Sequence, residues 1–456
     1  MINRLLRHHV GGRGACLAAA ALLLSACSID KVLQVPDPDV SRPTDVSGKA
    51  ALPTLRAAAI GDFQVAFAGT GGATGLEGLV NMTGLFTDEF TFTETFPTRV
   101  QVDRRAIDRN NSTMLAIYFQ AQAARQSAFR AESAYAKLSP NDSAYSEVLS
   151  LEGYSFILLA ESYCSGVPIT KTDASGKVFP GQPITTQHLL DSAINRFTAA
   201  LTVANAAGSS YLANLARVGQ ARALIFKGNS NLDAAAALVA SVPTTFNYRI
   251  FSSDNTDRQI NGVFELQYLE GRWSQADEEG TNGLPFLSAE DPRAPFVDLG
   301  AGFDGVREVY GSLKYPSRDA STVLSSGIEA KLIIAEDLLT SNYAGANGTL
   351  SILNALRANI GMTPLAPAAT APEQVDQLFS ERAFWLFLTA HRLGDLRRLS
   401  RSVANDGYGR NSESVFPTGV YTGRGGGVYG PDVNFPLPID ESNSNPNVPG
   451  CIDRNP

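Results

Sequence analysis

The sequence predicts a mainly α protein built of paired helical hairpins, with an irregular, loop-rich lobe and few short strands. Three observations predict this. Between residues 112 and 242, leucine, alanine and aromatic residues recur at three- and four-residue spacing. That spacing fades over 243–327, where Gly, Pro, Asp and aromatic residues become frequent. It returns over 327–341, 350–360 and 373–401.

The elements follow in order. Arg4, Arg7 and Arg13 form a basic start, residues 15–24 are apolar, and Leu24-Ser25-Ala26-Cys27 follows. An apolar run of about ten residues is too short to cross a bilayer core of roughly 30 Å. The pattern predicts a lipoprotein signal peptide over 1–26, with the Cys27 thiol taking the diacylglycerol. An ordinary signal peptide with a chance cysteine is the blander reading. Residues 27–48, rich in Pro, Asp and Ser, read as a lipidated tether, and 49–456 as the folded domain. No later stretch reaches 18 apolar residues, so the acyl chains alone anchor the protein.

A first helix is expected over 49–67. The glycines from Gly69 to Gly75 read as a loop. No Gly-Lys-[Ser/Thr] follows and no strand precedes, as a phosphate cradle requires. Residues 76–110, which mix Phe86, Phe90, Phe92 and Phe96 with acids, read as an irregular segment leading over the surface. Helices are predicted over 114–137, 143–164, 186–206, 212–227 and 232–242, broken at Ser139-Pro140, at Pro168 to Pro183, at Gly208 and at Gly228. Their repeat of about 35 residues suggests tetratricopeptide-like hairpins over 112–242. Ala221, Ala223, Gly228 and Ala234 supply the small residues that let helices approach. Within the 243–327 lobe, residues 263–268 alternate like a strand. C-terminal helices occupy 328–401, and the Gly/Pro/Asn-rich tail 402–456 is expected to wrap the domain.

Composition narrows the function. The 456 residues are 44% hydrophobic and 18% charged, with a net charge of -8. Losing the leader's three arginines makes the balance more acidic still. An acidic chain without a basic run argues against a nucleic-acid partner. Beyond the leader and Cys27, two cysteines remain, Cys164 and Cys451. They are either a long-range disulfide or two unrelated thiols. His188 and His391 are the only histidines after the leader, and no His-Glu-x-x-His, Cys-x-x-Cys or Gly-x-Ser-x-Gly occurs. No metal site, cofactor or zinc or serine hydrolase chemistry is therefore expected. Asp88-Glu89 and Asp277-Glu278-Glu279 offer acids for a glycoside hydrolase, but they read better as solvated loop carboxylates. A binding site is the stronger reading. Trp273 with Tyr268 and Arg272, and Tyr310 with Tyr315 and Arg307, provide aromatic faces for sugar C–H surfaces beside polar groups for hydroxyls. Each of these aromatics has the alternative of being lobe core.

Residues 381–398 read ERAFWLFLTAHRLGDLRR. An apolar run between charged clusters predicts a buried helix. On such a helix Glu381, Arg392 and Asp395 share one stripe, which reads as structural ion pairing rather than a catalytic set.

The same stretch resembles the "ER…L…R..DL.R" helix of the SusD/RagB-like outer-membrane nutrient-binding lipoproteins. Glu329-Ala330 through Glu336, then Leu353-Asn354 through Arg357 and Gly361, resemble that family's next helix pair. The run Phe435-Pro436-Leu437-Pro438-Ile439, with Asp440-Glu441 and Asn445-Pro446, resembles its ending. The resemblance implies a helical scaffold under a less regular part. It also implies a non-enzymatic surface lipoprotein that binds an oligosaccharide or peptide and delivers it to a TonB-dependent, SusC-like transporter. A surface glycoside hydrolase and a ligand-free helical-repeat scaffold are the alternatives.

Overall fold

The computed structural model describes residues 48–72, 75–172 and 177–456. Cys27 and the leader lie outside them. The chain divides into two units, 1–51 and Leu52–Pro456. In the first, the described part is a short 3-10 turn, Lys49–Ala51. Among the described residues, no helix is long and apolar enough to cross a membrane.

The second unit is mainly helical. It opens with α1 (Leu52–Ala68) and the short α2 (Leu79–Phe86), β1 (Phe90–Phe92) and α3 (Pro97–Asp103). The hairpin helices follow: α4 (Ser112–Leu138), α5 (Ser143–Ser162), α6 (Thr186–Ala206), α7 (Ser210–Lys227) and α8 (Leu232–Val239). Their starts are set by side chains that accept from orphan backbone N–H groups. Asn111 takes Met114 N, Asp142 takes Ala144 N, Thr185 takes His188 N and Ser209 takes Leu212 N. Successive helices pack on one another as antiparallel neighbours, giving the tetratricopeptide-like architecture the spacing predicts.

The centre of this layer is α5, buried continuously from Ser146 to Ser162. Its serines satisfy themselves: Ser150 and Ser155 donate to the carbonyls of Ser146 and Leu151. Gly153 on α5 and Gly219 on α7 leave room for the ring of Phe197 on α6. A Cβ on Gly219 would come within 2.3 Å of that ring, and one on Gly153 within 2.8 Å.

The lobe's strands form two-stranded antiparallel pairs. β6 (Asn247–Ile250) pairs with β10 (Thr322–Ser326), and β8 (Phe296–Ala301) with β9 (Glu308–Ser312). β7 (Trp273–Gln275) pairs with β1 at the far end of the sequence segment, with Phe92 opposite Trp273. Next come α9 (Gly327–Asp337), α10 (Thr349–Ala358), α11 (Ala371–Trp385) and α12 (Arg392–Ser400). The tail is tied back by the Cys164–Cys451 disulfide, whose Cα atoms are 5.9 Å apart, and by a bridge from Phe435 to Tyr163.

Four expectations are corrected. Residues 76–110 do not run over the surface, since α2 is buried on every residue and Phe90 and Phe92 are core. A helix buried on all sides has no amphipathic period to detect. Residues 263–268 are not a strand but a turn of helix, Gly262–Phe264, continuing into a π turn, Glu265–Leu269. Asn261 starts it by accepting from the N–H groups of Val263 and Phe264. Asp88 and Glu89 are fully buried rather than solvated. Asp88 takes both guanidinium contacts of Arg392 at 2.7 Å and the N–H of Leu284, so its oxygens are committed to structure.

The fourth correction concerns 373–401, which is two helices joined by a buried kink. Leu388 and Ala390 adopt positive φ, 51° and 58°, an unfavourable conformation for residues with a Cβ. The groups freed by the break are captured by side chains from elsewhere. Glu89 accepts from Leu388 N at 2.7 Å, and Tyr315 donates to Leu388 O at 2.7 Å. Lys314 donates to Phe387 O and Arg222 to Ala390 O. The kink separates Glu381 from Arg392 and Asp395, so they form no common stripe. Each nevertheless has buried ionic partners. Glu381 meets Arg293 and Arg357, and Asp395 meets Arg382 and Arg398. Arg398 also reaches Glu336 of α9.

Candidate functional site

The most accessible aromatic group with built-in charge lies on the lobe, where three segments converge. Thr93 N donates to Arg272 O at 2.9 Å, Phe303 N to Gly271 O at 2.8 Å, and Asp304 N to Thr93 O at 3.1 Å. These bonds extend the β1–β7 pairing into its loops and bring together Phe96, Arg272 and Phe303. Gly302 permits the approach, because a Cβ there would lie 2.8 Å from Thr93 Cβ.

The Arg272 guanidinium carbon is 5.6 Å from the Phe96 ring centre and 5.0 Å from that of Phe303. Arg99 lies 5.1 Å over Phe96 as well. Cation–π attraction orders the cations against the rings. Phe96 is 43% exposed and Phe303 57% exposed. Large aromatics this exposed, held rigidly by backbone bonds, form a ready contact surface.

A ring of charge surrounds them. Arg272 Nε is 3.0 Å from Glu270 Oε2 and 3.6 Å from Glu94 Oε1, close enough for ion pairing but in neither case a hydrogen bond. Burial pushes the carboxyls of Glu94 and Glu270 up from the usual range, and Arg272 opposes that shift. Asp304 goes the other way. Its partial burial is outweighed by the N–H groups of Arg307 and Val306 and by the Arg307 guanidinium, so its carboxyl is held low. Arg99 is paired with Glu77.

Of the sequence-predicted binding residues, Arg272 stands in this platform. Arg307 lies in the same turn as Phe303, paired with Asp304 at 2.9 Å. Tyr268 and Tyr310 are half-buried in the same lobe. The Tyr268 ring stacks on Phe264 at 4.8 Å and its hydroxyl donates to Ser312 O, while Tyr310 meets Phe296 edge-on. Trp273 and Tyr315 are corrected: both are 0% exposed. Trp273 lies beneath the platform, with Phe90 and Phe92 edge-on at 5.8 Å each, and Tyr315 holds the kink at Leu388. The strand that carries Trp273 is buried at all three residues, so neither of its faces is open to a ligand. The two phenylalanines of the platform were not among the sequence-predicted binding residues. The signal was present for Phe303, whose Gly302-Phe303-Asp304-Gly305 context is that of a tight turn with no room for a buried ring.

The arrangement presents apolar ring faces beside donors and acceptors, which suits adsorption of a polar ligand with apolar faces. Among the described residues, no cluster of three or more His, Cys, Asp or Glu is placed to hold a metal.

No family model of protein sequences matches the chain, and no curated protein matches it. Solved structures do. A SusD superfamily protein from Parabacteroides distasonis is similar over 89% of this chain and 99% of its own, at 16% identity and a TM-score of 0.63. A SusD-like carbohydrate-binding protein from Bacteroides fragilis matches over 88% and 99%, at 15% identity and a TM-score of 0.60. Surface glycan-binding protein A from Bacteroides uniformis matches over 88% and 99%, at 13% identity and a TM-score of 0.61. The helical hairpins, the loop-rich lobe and these near-complete matches together give the chain the fold of the SusD superfamily.

Proposed function

We propose that the protein binds a glycan, or a peptide of similar polarity, on the Phe96–Arg272–Phe303 platform, without transforming it. The observation that carries this reading is the pair of exposed phenyl rings held against one guanidinium in the lobe. Sugar rings offer C–H faces to such aromatics, and their hydroxyls find Glu270 and Arg272 at the rim. The neighbours described as carbohydrate-binding and glycan-binding support a saccharide over a peptide. Acylation at Cys27 would hold the protein on the outer membrane, where a TonB-dependent, SusC-like barrel would receive the ligand.

Affinity electrophoresis of the full chain against a panel of soluble glycans tests the site. Phe303→Ala is expected to weaken retention by about tenfold or more, as loss of a central aromatic anchor does. Its melting temperature should stay at the wild-type value, because an exposed ring contributes little to stability. Unchanged retention in both Phe303→Ala and Phe96→Ala would remove the platform from the binding site. Purification of the tagged protein from its native membrane tests the transport role. A co-purifying β-barrel supports it, and a solitary protein counts against it.

A further inference from the structure

A cavity of about 400 Å³ lies between α4, α5 and α6 and the short strands that follow α5. Those strands are β2 (Val167–Pro168), β3 (Lys171–Thr172), β4 (Val178–Phe179) and β5 (Pro183–Ile184). Its volume is in the range that holds a small organic ligand. One wall is apolar, made by Phe129, Phe156, Ile169 and Ile184. The charged lining is Arg125, Lys171, Arg196 and a single acid, Glu152. In a chain of net charge -8, this concentration of cations is local and opposite in sign to the whole.

The cations are incompletely matched. Arg125 is 4% exposed, yet no carboxylate lies within ion-pair distance of it among the described residues. Its Nε donates to Gln122 Oε1 and its Nη2 to Thr170 O, both neutral acceptors, and Nη1 has no such partner among the described residues. Burying a guanidinium against neutral groups alone is costly, and the burial lowers its proton affinity. Arg196 uses Nε on Glu152 at 2.7 Å and stands 4.0 Å from Glu132 through Nη1. Lys171 is exposed and has no ion pair among the described residues. Burial also pushes the Glu152 carboxyl up to about 7, against the opposing pull of Arg196.

We infer that this cavity binds an organic carboxylate with an apolar or aromatic body, the carboxylate meeting Arg125, Arg196 and Lys171 and the body packing on Phe129, Phe156, Ile169 and Ile184. A bare inorganic anion would leave the apolar wall unused. A neutral apolar molecule would leave the buried guanidinium unmatched. The site is separate from the lobe platform and does not rest on the glycan reading.

The test uses the purified full chain in detergent, with 4-phenylbutyrate as the probe and its neutral amide and inorganic phosphate as controls, read by isothermal titration calorimetry. Saturable binding of the acid at millimolar concentration or below is expected. The amide should bind about tenfold more weakly or worse, from loss of charge-assisted hydrogen bonds. Lys171→Glu, at an exposed position that leaves the fold intact, should weaken the acid by about tenfold or more. Phe303→Ala should leave it unchanged. Absence of saturable binding by the wild-type protein would overturn the inference. So would equal affinity for the amide, displacement of the acid by equimolar phosphate, indifference to Lys171→Glu, or loss in Phe303→Ala.

Discussion

Phe197 and Leu388 are both fully buried, and their surroundings hold them in opposite ways. Phe197 sits in an apolar groove that Gly153 and Gly219 leave open, between helices whose own backbones are satisfied internally. Leu388 sits in a break whose N–H and C=O are satisfied by Glu89 and Tyr315, residues distant in sequence. In the hairpins the structure is local and packing refines it. At the kink the local preference is overridden, and the structure exists only while its partners are in place. A helix period therefore persists through a region that is not one helix.

The comparison is broken most directly at its ionic end. Arg392→Ala should cost about 3–5 kcal/mol, because it strands the buried Asp88 carboxylate with only the Leu284 N–H for company. Urea denaturation measures it, and a loss below about 1 kcal/mol, the range of exposed pairs, would show that the kink is not held by its ion pairs. At the packing end, Gly219→Ala should cost about 1–3 kcal/mol through the clash with Phe197 and Tyr154, despite alanine's better helix propensity. Adding Phe197→Leu should recover part of that loss, and failure to recover any would place the strain elsewhere.

A third test is a dependence on pH at the kink. Burial raises the Glu89 carboxyl from 4.5 to about 8. The folded chain thus keeps a proton that the unfolded chain has lost. The stability from this group is complete below pH 4.5 and declines as pH rises to about 8. Buried Lys314 is lowered from 10.5 to about 8, so its contribution increases with pH above 8 and does not mask the decline. Glu89→Gln, which keeps an acceptor for Leu388 N, should flatten the decline between pH 5 and 8 in denaturation midpoints. An unchanged slope would assign the pH dependence to other carboxyls.

The hairpin helices were legible to within a few residues from apolar spacing and the breaks between them, and the structure adds the caps at Asn111, Asp142, Thr185 and Ser209. The buried helix α2 and the turn at 262–269 were not, since each is too short for periodicity and takes its form from what encloses it. Arg272, a candidate binding residue from the sequence, stands in the proposed platform, while the aromatics beside it in sequence do not. Trp273 is adjacent along the chain but faces inward, whereas Phe96 and Phe303 reach Arg272 from segments far apart.

The sequence by itself determined a mainly α chain, its hairpin helices and an aromatic lobe, because apolar spacing and capping side chains act over a few residues. Only the tertiary structure decided where the 373–401 segment breaks, that Cys164 and Cys451 meet, and which aromatics stay exposed. Those outcomes depend on buried charges finding partners and on backbone bonds between distant segments, and neither leaves a local mark in the chain.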